Sequence, residues 1–244
     1  MGVASLKSGS DIAQWQDFFR DFTRLAQSGA MSSDKCSSLS PNAVSTFFSA
    51  FTSIYGSDCV QGRMVDVWEA AGIGTDELRN SAILAWLLDC HGSHGQGASF
   101  LREFLACLPG WDRREIAADY HTRVESSYDE GEPDAPQKRS RVDIEVDGPS
   151  FLLLLEIKIH AGETNNQLER YCRIGESRKG NRPWALVFVT PDGRPPADTA
   201  LYAQVYCLSW QTVGCAIARH AATMPQDSHG TIAIKQFCAH MARL

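Results

Sequence analysis

The sequence predicts an α/β fold in which helices flank a central mixed sheet of four to five strands. Three observations favour it. Apolar residues recur at helical spacing through most of the first 110 residues, two β-rich runs at 141–146 and 151–159 are joined by turn residues, and another apolar run follows at 184–190. A length of 244 residues is enough for one domain and an extension. We therefore expect a helical N-terminal extension over 1–70 and one α/β domain over 71–244.

The helical part begins with an amphipathic segment at 11–28, where Trp15, Phe18, Phe19 and Phe22 share one face. This face either packs into the core of the chain or binds a partner. Further helices are predicted over 41–55, 61–71, 75–89 and 98–108.

The sheet and its remaining helices follow. Strands are predicted over 115–128, 141–146, 151–159, 184–190 and 205–208. Helices are predicted over 165–174, from the N-cap Ser209 to Arg219, and over 231–244.

Composition limits the function classes. The net charge of -6 argues against a basic protein that coats DNA. The eight cysteines form no C-x-x-C pair, which favours reduced thiols. The longest apolar run, 151–155, is too short to span a bilayer. We expect a soluble, cytoplasmic protein that does not bind membranes.

The hairpin at 141–159 brings chemistry-bearing side chains together. A turn at 147–150 would place Val146 opposite Phe151 and Asp143 opposite Leu154. Because side chains alternate between faces, one face then carries the charged residues and the other faces the core. The predicted polar face contains Arg141, Asp143, Glu145, Leu154, Glu156 and Lys158. The predicted core face contains Val142, Ile144, Val146, Leu153, Leu155, Ile157 and Ile159. An even slip of register would keep both sets together.

Two carboxylates with a nearby lysine suit phosphodiester chemistry. Asp143 and Glu156 supply the hard oxygen ligands that Mg²⁺ or Mn²⁺ takes. Such an ion polarises a phosphate and lowers the pKa of a bound water. Lys158 can orient that water and offset negative charge on the phosphate.

This arrangement resembles the D…(D/E)-x-K core of PD-(D/E)XK nucleases. Gln167 and Tyr171, four residues apart on one predicted helix face, resemble the Q-x-x-x-Y motif of RecB-like members. The resemblance implies a restriction-endonuclease-like core. It also implies a catalytic set: Asp143, Glu156, Lys158, Gln167 and Tyr171.

Further motifs are similar to the branch called PDDEXK_4. They are an E-x-x-x-S pattern at Glu77 and Ser81, an H-G-x-G loop at 94–97, the strand and turn VFVTPDG at 187–193, and Ser209-Trp210. The resemblance covers roughly 70–244 and makes 71–244 a nuclease domain. Val142 replaces the proline of the P-D motif.

The resemblance also implies further site residues. Its implied metal set is Asp143, Glu156, Ile157, Glu125 and Glu77. Glu125 and Glu77 compete for the last position in the metal shell. The alternative for Glu125 is a solvated strand residue, and the alternative for Glu77 is a glutamate favoured at the start of a helix. Independently of the resemblance, Arg141, Arg170 and Arg173 belong to two basic clusters of the sequence, which either bind substrate phosphates or form a solvated face.

The segment from Cys90 and His91 to His94 contains residue types that bind zinc. No second ligand pair follows at zinc-site spacing, so we expect a structural loop.

The favoured function is a Mg²⁺- or Mn²⁺-dependent DNA nuclease. The resemblance implies bacterial defence against phage or foreign DNA, alone or with a protein partner such as an ATPase or sensor subunit. The alternative is a catalytically silent module of the same fold that binds nucleic acid or a partner. The sequence does not distinguish DNA from RNA as the substrate.

Overall fold

A computed structural model describes residues 65–112, 114–129, 139–160, 166–201 and 205–244, with isolated positions between 49 and 62. The helices and strands given below belong to one compact unit, Asp66–Leu244. The predicted helix at 11–28, with its apolar face, and most of the 1–70 extension lie outside the described residues.

The described residues form a five-stranded sheet whose spatial order follows the chain. Its strands are β1 (His121–Asp129), β2 (Arg139–Gly148), β3 (Phe151–Ile157), β4 (Trp184–Thr190) and β5 (Val205–Ser209). The first three strands are antiparallel, and β3, β4 and β5 are parallel. The predicted mixed sheet is confirmed.

Helices cover both faces of this sheet. They are α1 (Val67–Ala70), α2 (Glu77–Leu88), α3 (Ser99–Leu105), α4 (Gln167–Arg178), α5 (Trp210–Ala221) and α6 (His229–Met241), with a short 3-10 helix at Thr199–Leu201. A large apolar cluster joins α2, α3, α5 and α6 to one face, and a smaller cluster joins α4 to the other. No helix among the described residues is long and apolar enough to cross a membrane.

Local chemistry explains where several elements begin. Asp66 accepts hydrogen bonds from the amides of Trp68 and Glu69, so α1 begins at Val67, within the helix predicted over 61–71. Asn166 has a φ of 59°, which is not helical, so α4 starts at 167 rather than 165. The strand predicted from 115 begins only at His121.

The β2–β3 hairpin has a tighter turn than predicted. Gly148 pairs with Phe151 and Val146 pairs with Leu153, which leaves a two-residue turn. The predicted pairing of Val146 with Phe151 is therefore wrong by two residues. Because that slip is even, the alternation of faces along Ile144 and Val146 is preserved.

Val142 corrects the predicted core face. It packs with Leu154 and Tyr171 in the smaller cluster, whereas Ile144 lies in the large one. The β1–β2 pairing is interrupted next to it, at Glu125, whose φ is 54°. We attribute the change of face to this break, since irregular pairing bends and twists a strand.

Candidate functional site

The predicted site lies where β3 ends. The Lys158 amide donates to the Val189 carbonyl (2.9 Å), which continues the parallel pairing with β4 one residue past the strand. The indole Nε1 of Trp210, a fully buried side chain, donates to the Lys158 carbonyl (3.3 Å). The backbone that carries the lysine is thus fixed from both sides.

Asp143 and Glu156 meet at this end of the hairpin. Asp143 Oδ2 accepts a hydrogen bond from the Ile157 amide (2.8 Å). Glu156 Oε1 lies 2.6 Å from the Lys158 ammonium and accepts from Gln167 Nε2 (2.7 Å). Glu156 Oε2 is buried and has no hydrogen-bond partner among the described residues.

Burial and like charge perturb both carboxyl groups. Burial, together with the nearby Asp143 charge, raises the pKa of Glu156 to about 8 despite the Lys158 ammonium. Burial also raises the pKa of Asp143. For Lys158, burial acts to lower the pKa, but Glu156, Asp143 and Glu77 together raise it. Paired buried carboxyls of this kind favour a bound cation or a retained proton.

Helix α4 positions Glu156 from the other side. Gln167 Nε2 donates to Glu156 Oε1 and to the Tyr171 hydroxyl (2.9 Å). The Tyr171 hydroxyl in turn donates to the Arg141 carbonyl of β2. As predicted, Gln167 and Tyr171 share one helix face, and together they link α4 to both strands of the hairpin.

The two competing glutamates have different surroundings. Glu77, the first residue of α2, accepts from the amides of Ile159 (2.8 Å) and His160 (3.3 Å). Its charge also acts on Asp143 and Lys158. Glu125 Oε1 instead lies 2.7 Å from Arg141 Nη1. Backbone hydrogen bonds therefore hold Glu77 just past the end of β3, whereas Glu125 forms an ion pair with Arg141.

The predicted phosphate-binding arginines are spread over two elements. Arg141 on β2 is 62% exposed at its side chain even though it pairs with Glu125. Arg170 Nε donates to the buried Ser140 hydroxyl (3.1 Å), which anchors it against β2. Arg173 is exposed one helical turn along α4.

Other motif residues have structural contacts. The Ser81 hydroxyl donates to the Glu77 carbonyl (2.7 Å) one turn earlier in α2. His94 Nδ1 accepts from the Gln96 amide (3.0 Å), and the Gln96 side chain contacts His220 (3.0 Å). As expected, His94 belongs to a structural loop.

Two contacts were not anticipated from the sequence: the bond from Trp210 to the Lys158 carbonyl, and the bond from Arg170 to Ser140. The Ser209-Trp210 motif indicated that Trp210 is important but not that it binds the Lys158 carbonyl. Nothing in the sequence marked Ser140.

A family model described as the PD-(D/E)XK nuclease superfamily, PDDEXK_4, matches residues 65–239. The chain belongs to the PD-(D/E)XK nuclease superfamily. No curated protein and no solved structure matched it. Members of this superfamily are typically nucleases that use divalent metals.

The residues at the end of β3 fit the divalent cation that this superfamily uses. Glu156 Oε2 lacks a partner although it is buried, and the Asp143 carboxylate lies beside it. Glu77 adds a third carboxylate within electrostatic reach. Oxygen-only ligands of this kind suit Mg²⁺ or Mn²⁺ rather than a soft metal.

Proposed function

We propose that this chain is a Mg²⁺- or Mn²⁺-dependent nuclease that hydrolyses DNA phosphodiester bonds. The observation that carries the proposal is the unpartnered buried oxygen of Glu156, beside Asp143 and on the carboxyl group that pairs with Lys158. A buried carboxyl oxygen without a hydrogen-bond partner is costly unless a cation or a proton completes it.

Each side chain then has a distinct part in the reaction. Asp143 and Glu156 hold the cation, with Glu77 or Glu125 as the additional carboxylate. The cation supplies polarisation of the scissile phosphate and acidification of water. Lys158 orients the attacking water and offsets the charge that develops on the phosphate as the phosphorus–oxygen bond breaks. Gln167 holds Glu156 in place and acts as a positioning residue.

The substrate-binding surface is assigned to arginines around this centre. Arg141 is exposed and lies on the strand that carries Asp143, so a substrate phosphate could replace Glu125 as the ion-pair partner of its guanidinium. Arg170 and Arg173 extend the positive charge along α4. Because the net charge is -6, these local arginines must provide the attraction to DNA.

The biological setting that we propose is defence against phage or foreign DNA in bacteria. The chain would act alone or as the effector of a larger complex with an ATPase or sensor subunit. The product of a neighbouring gene is the first partner to add to the cleavage assay.

The test is cleavage of supercoiled plasmid, linear duplex and RNA in Mg²⁺. We expect cleavage of DNA that is lost in Lys158→Ala. Lys179→Ala is the matched control. Among the described residues, the Lys179 ammonium forms an ion pair only with Glu176, three residues earlier in the chain. Cleavage of RNA alone would overturn the assignment of DNA as the substrate.

Calorimetry with Mn²⁺ separates the enzyme from a silent module of the same fold. We expect binding that is lost in Glu156→Gln and retained in Lys179→Ala. Absence of cleavage together with absence of Glu156-dependent binding would contradict the proposal and favour the silent module.

A further inference from the structure

A second cluster of metal-binding residue types lies at the other end of α2. Cys90 and His91 follow this helix directly, and Asp119 precedes β1. One ligand atom from each, the thiol, the imidazole and a carboxylate oxygen, lie within 4.8 Å of one another. The imidazole Nε2 and Asp119 Oδ1 are 2.9 Å apart. The fold therefore supplies the third ligand that the spacing along the chain did not reveal.

The backbone around this cluster is held before any ion binds. The Tyr120 hydroxyl donates to the Leu88 carbonyl (2.9 Å), and the Cys90 thiol donates to the Tyr120 carbonyl (3.2 Å). The first bond joins the end of α2 to the start of β1 without using a ligand atom, whereas the second holds the thiol near Asp119 until an ion binds. Cys90 and Asp119 are consequently kept adjacent although 28 residues separate them.

The His91 main chain is fixed in the same way. Its amide donates to Asp89 Oδ1 (3.0 Å), which sets the direction of the loop that follows α2. Its imidazole is largely exposed, as is the Asp119 carboxylate. Both side chains can therefore adjust by the small distances that coordination demands.

We propose that Cys90, His91 and Asp119 form a zinc site with three protein ligands and an exchangeable solvent position. Zinc bonds of roughly 2.0–2.3 Å in a tetrahedron place ligand atoms roughly 3.5 Å apart, within the range seen in this cluster. One sulfur and one nitrogen ligand select zinc over Mg²⁺, which prefers oxygen. On binding, the thiol gives its proton to solvent and leaves the Tyr120 carbonyl.

This site is distinct from the centre at Glu156. Helix α2 has 12 residues and is roughly 18 Å long, with Glu77 at its first position and Cys90 just past its end. A zinc ion at the far end lies too distant to contact the phosphate there. It stabilises the junction between α2 and β1 by binding only the folded chain.

The test titrates the metal-free full chain with Co²⁺ and follows the thiolate-to-cobalt charge-transfer absorption. We expect one such band that saturates at one ion per chain, is removed by Zn²⁺ and persists in excess Mg²⁺. Cys90→Ser should abolish it. Cys215→Ser, which removes another exposed thiol, and Glu156→Gln, which alters the other centre, should retain it. A missing band in the unaltered chain, or a band that survives in Cys90→Ser, overturns the proposal.

Thermal unfolding provides a second measurement, which does not rely on absorption by the thiolate. Zn²⁺ should raise the Tm of the unaltered chain and of Cys215→Ser, and raise it less in Asp119→Asn and His91→Gln. Both of the latter replace exposed side chains, so folding is expected to be retained. An equal rise in all four proteins contradicts the three-ligand site.

Discussion

The bond between Gln167 and Glu156 allows a quantitative prediction. In Gln167→Ala, Glu156 Oε1 loses the 2.7 Å hydrogen bond but keeps the 2.6 Å contact with the Lys158 ammonium. A hydrogen bond to a charged group contributes about 1.5–3 kcal/mol. Such a loss corresponds to about 10–100-fold in an equilibrium constant. Because Lys158 still restrains the carboxylate, we expect the lower end, about a tenfold loss of metal affinity.

The assay combines Mn²⁺ calorimetry with cleavage rates measured over a range of metal concentrations. If Gln167 only positions Glu156, saturating metal should restore most of the rate in the variant. Gln211→Ala, an exposed glutamine on α5, is the matched control and should leave both measurements unchanged. Unaltered Mn²⁺ affinity in Gln167→Ala would refute the reasoning.

Three more outcomes follow from described contacts. Gly175→Ala should destabilise the chain in denaturant titration, because the added Cβ would lie 2.2 Å from the Trp184 ring. Overpacking costs about 1–3 kcal/mol of stability, whereas replacing glycine by alanine inside a helix contributes about 1 kcal/mol. Glu77→Ala should slow DNA cleavage by about 10–100-fold and more than Glu125→Ala does, because Glu77 holds the backbone that follows Lys158. His94 should contribute a loss of stability as pH drops below about 6.5, because burial lowers its pKa and the unfolded chain binds that proton more readily. Glu156, whose pKa burial raises to about 8, acts in the opposite direction, so the His94 contribution is measured as the difference between the unaltered chain and His94→Gln.

Each of these has its own control. Gly230→Ala should not destabilise, since nothing lies within 4 Å of its added Cβ. Glu69→Ala, an exposed glutamate on α1, should cleave normally, and a larger defect in Glu125→Ala than in Glu77→Ala would reverse our ranking of the two carboxylates. In His94→Gln the free energy of unfolding should fall less on acidification than in the unaltered chain; an identical pH dependence would contradict a lowered pKa of the half-buried His94.

Much of the fold could be read from local patterns. The β2–β3 hairpin and the apolar strand β4 follow from alternation and apolar runs, which depend on neighbouring residues only. Helix α4 was recognisable for the same reason, and its positions 167 and 171 necessarily share a face. The register was two residues off because the tight turn after Gly148 was not distinguishable from a longer one.

The sequence by itself thus predicted the candidate site residues that the structure brings together at the end of β3 and on α4. The tertiary structure alone decided three other matters. It packed Val142 on the face opposite to Ile144, it placed Glu77 at the end of β3 while Arg141 engaged Glu125, and it brought Asp119 to Cys90. Each depends on contacts between segments distant in the chain or on an irregular strand pairing, and neither leaves a periodic signal in the sequence.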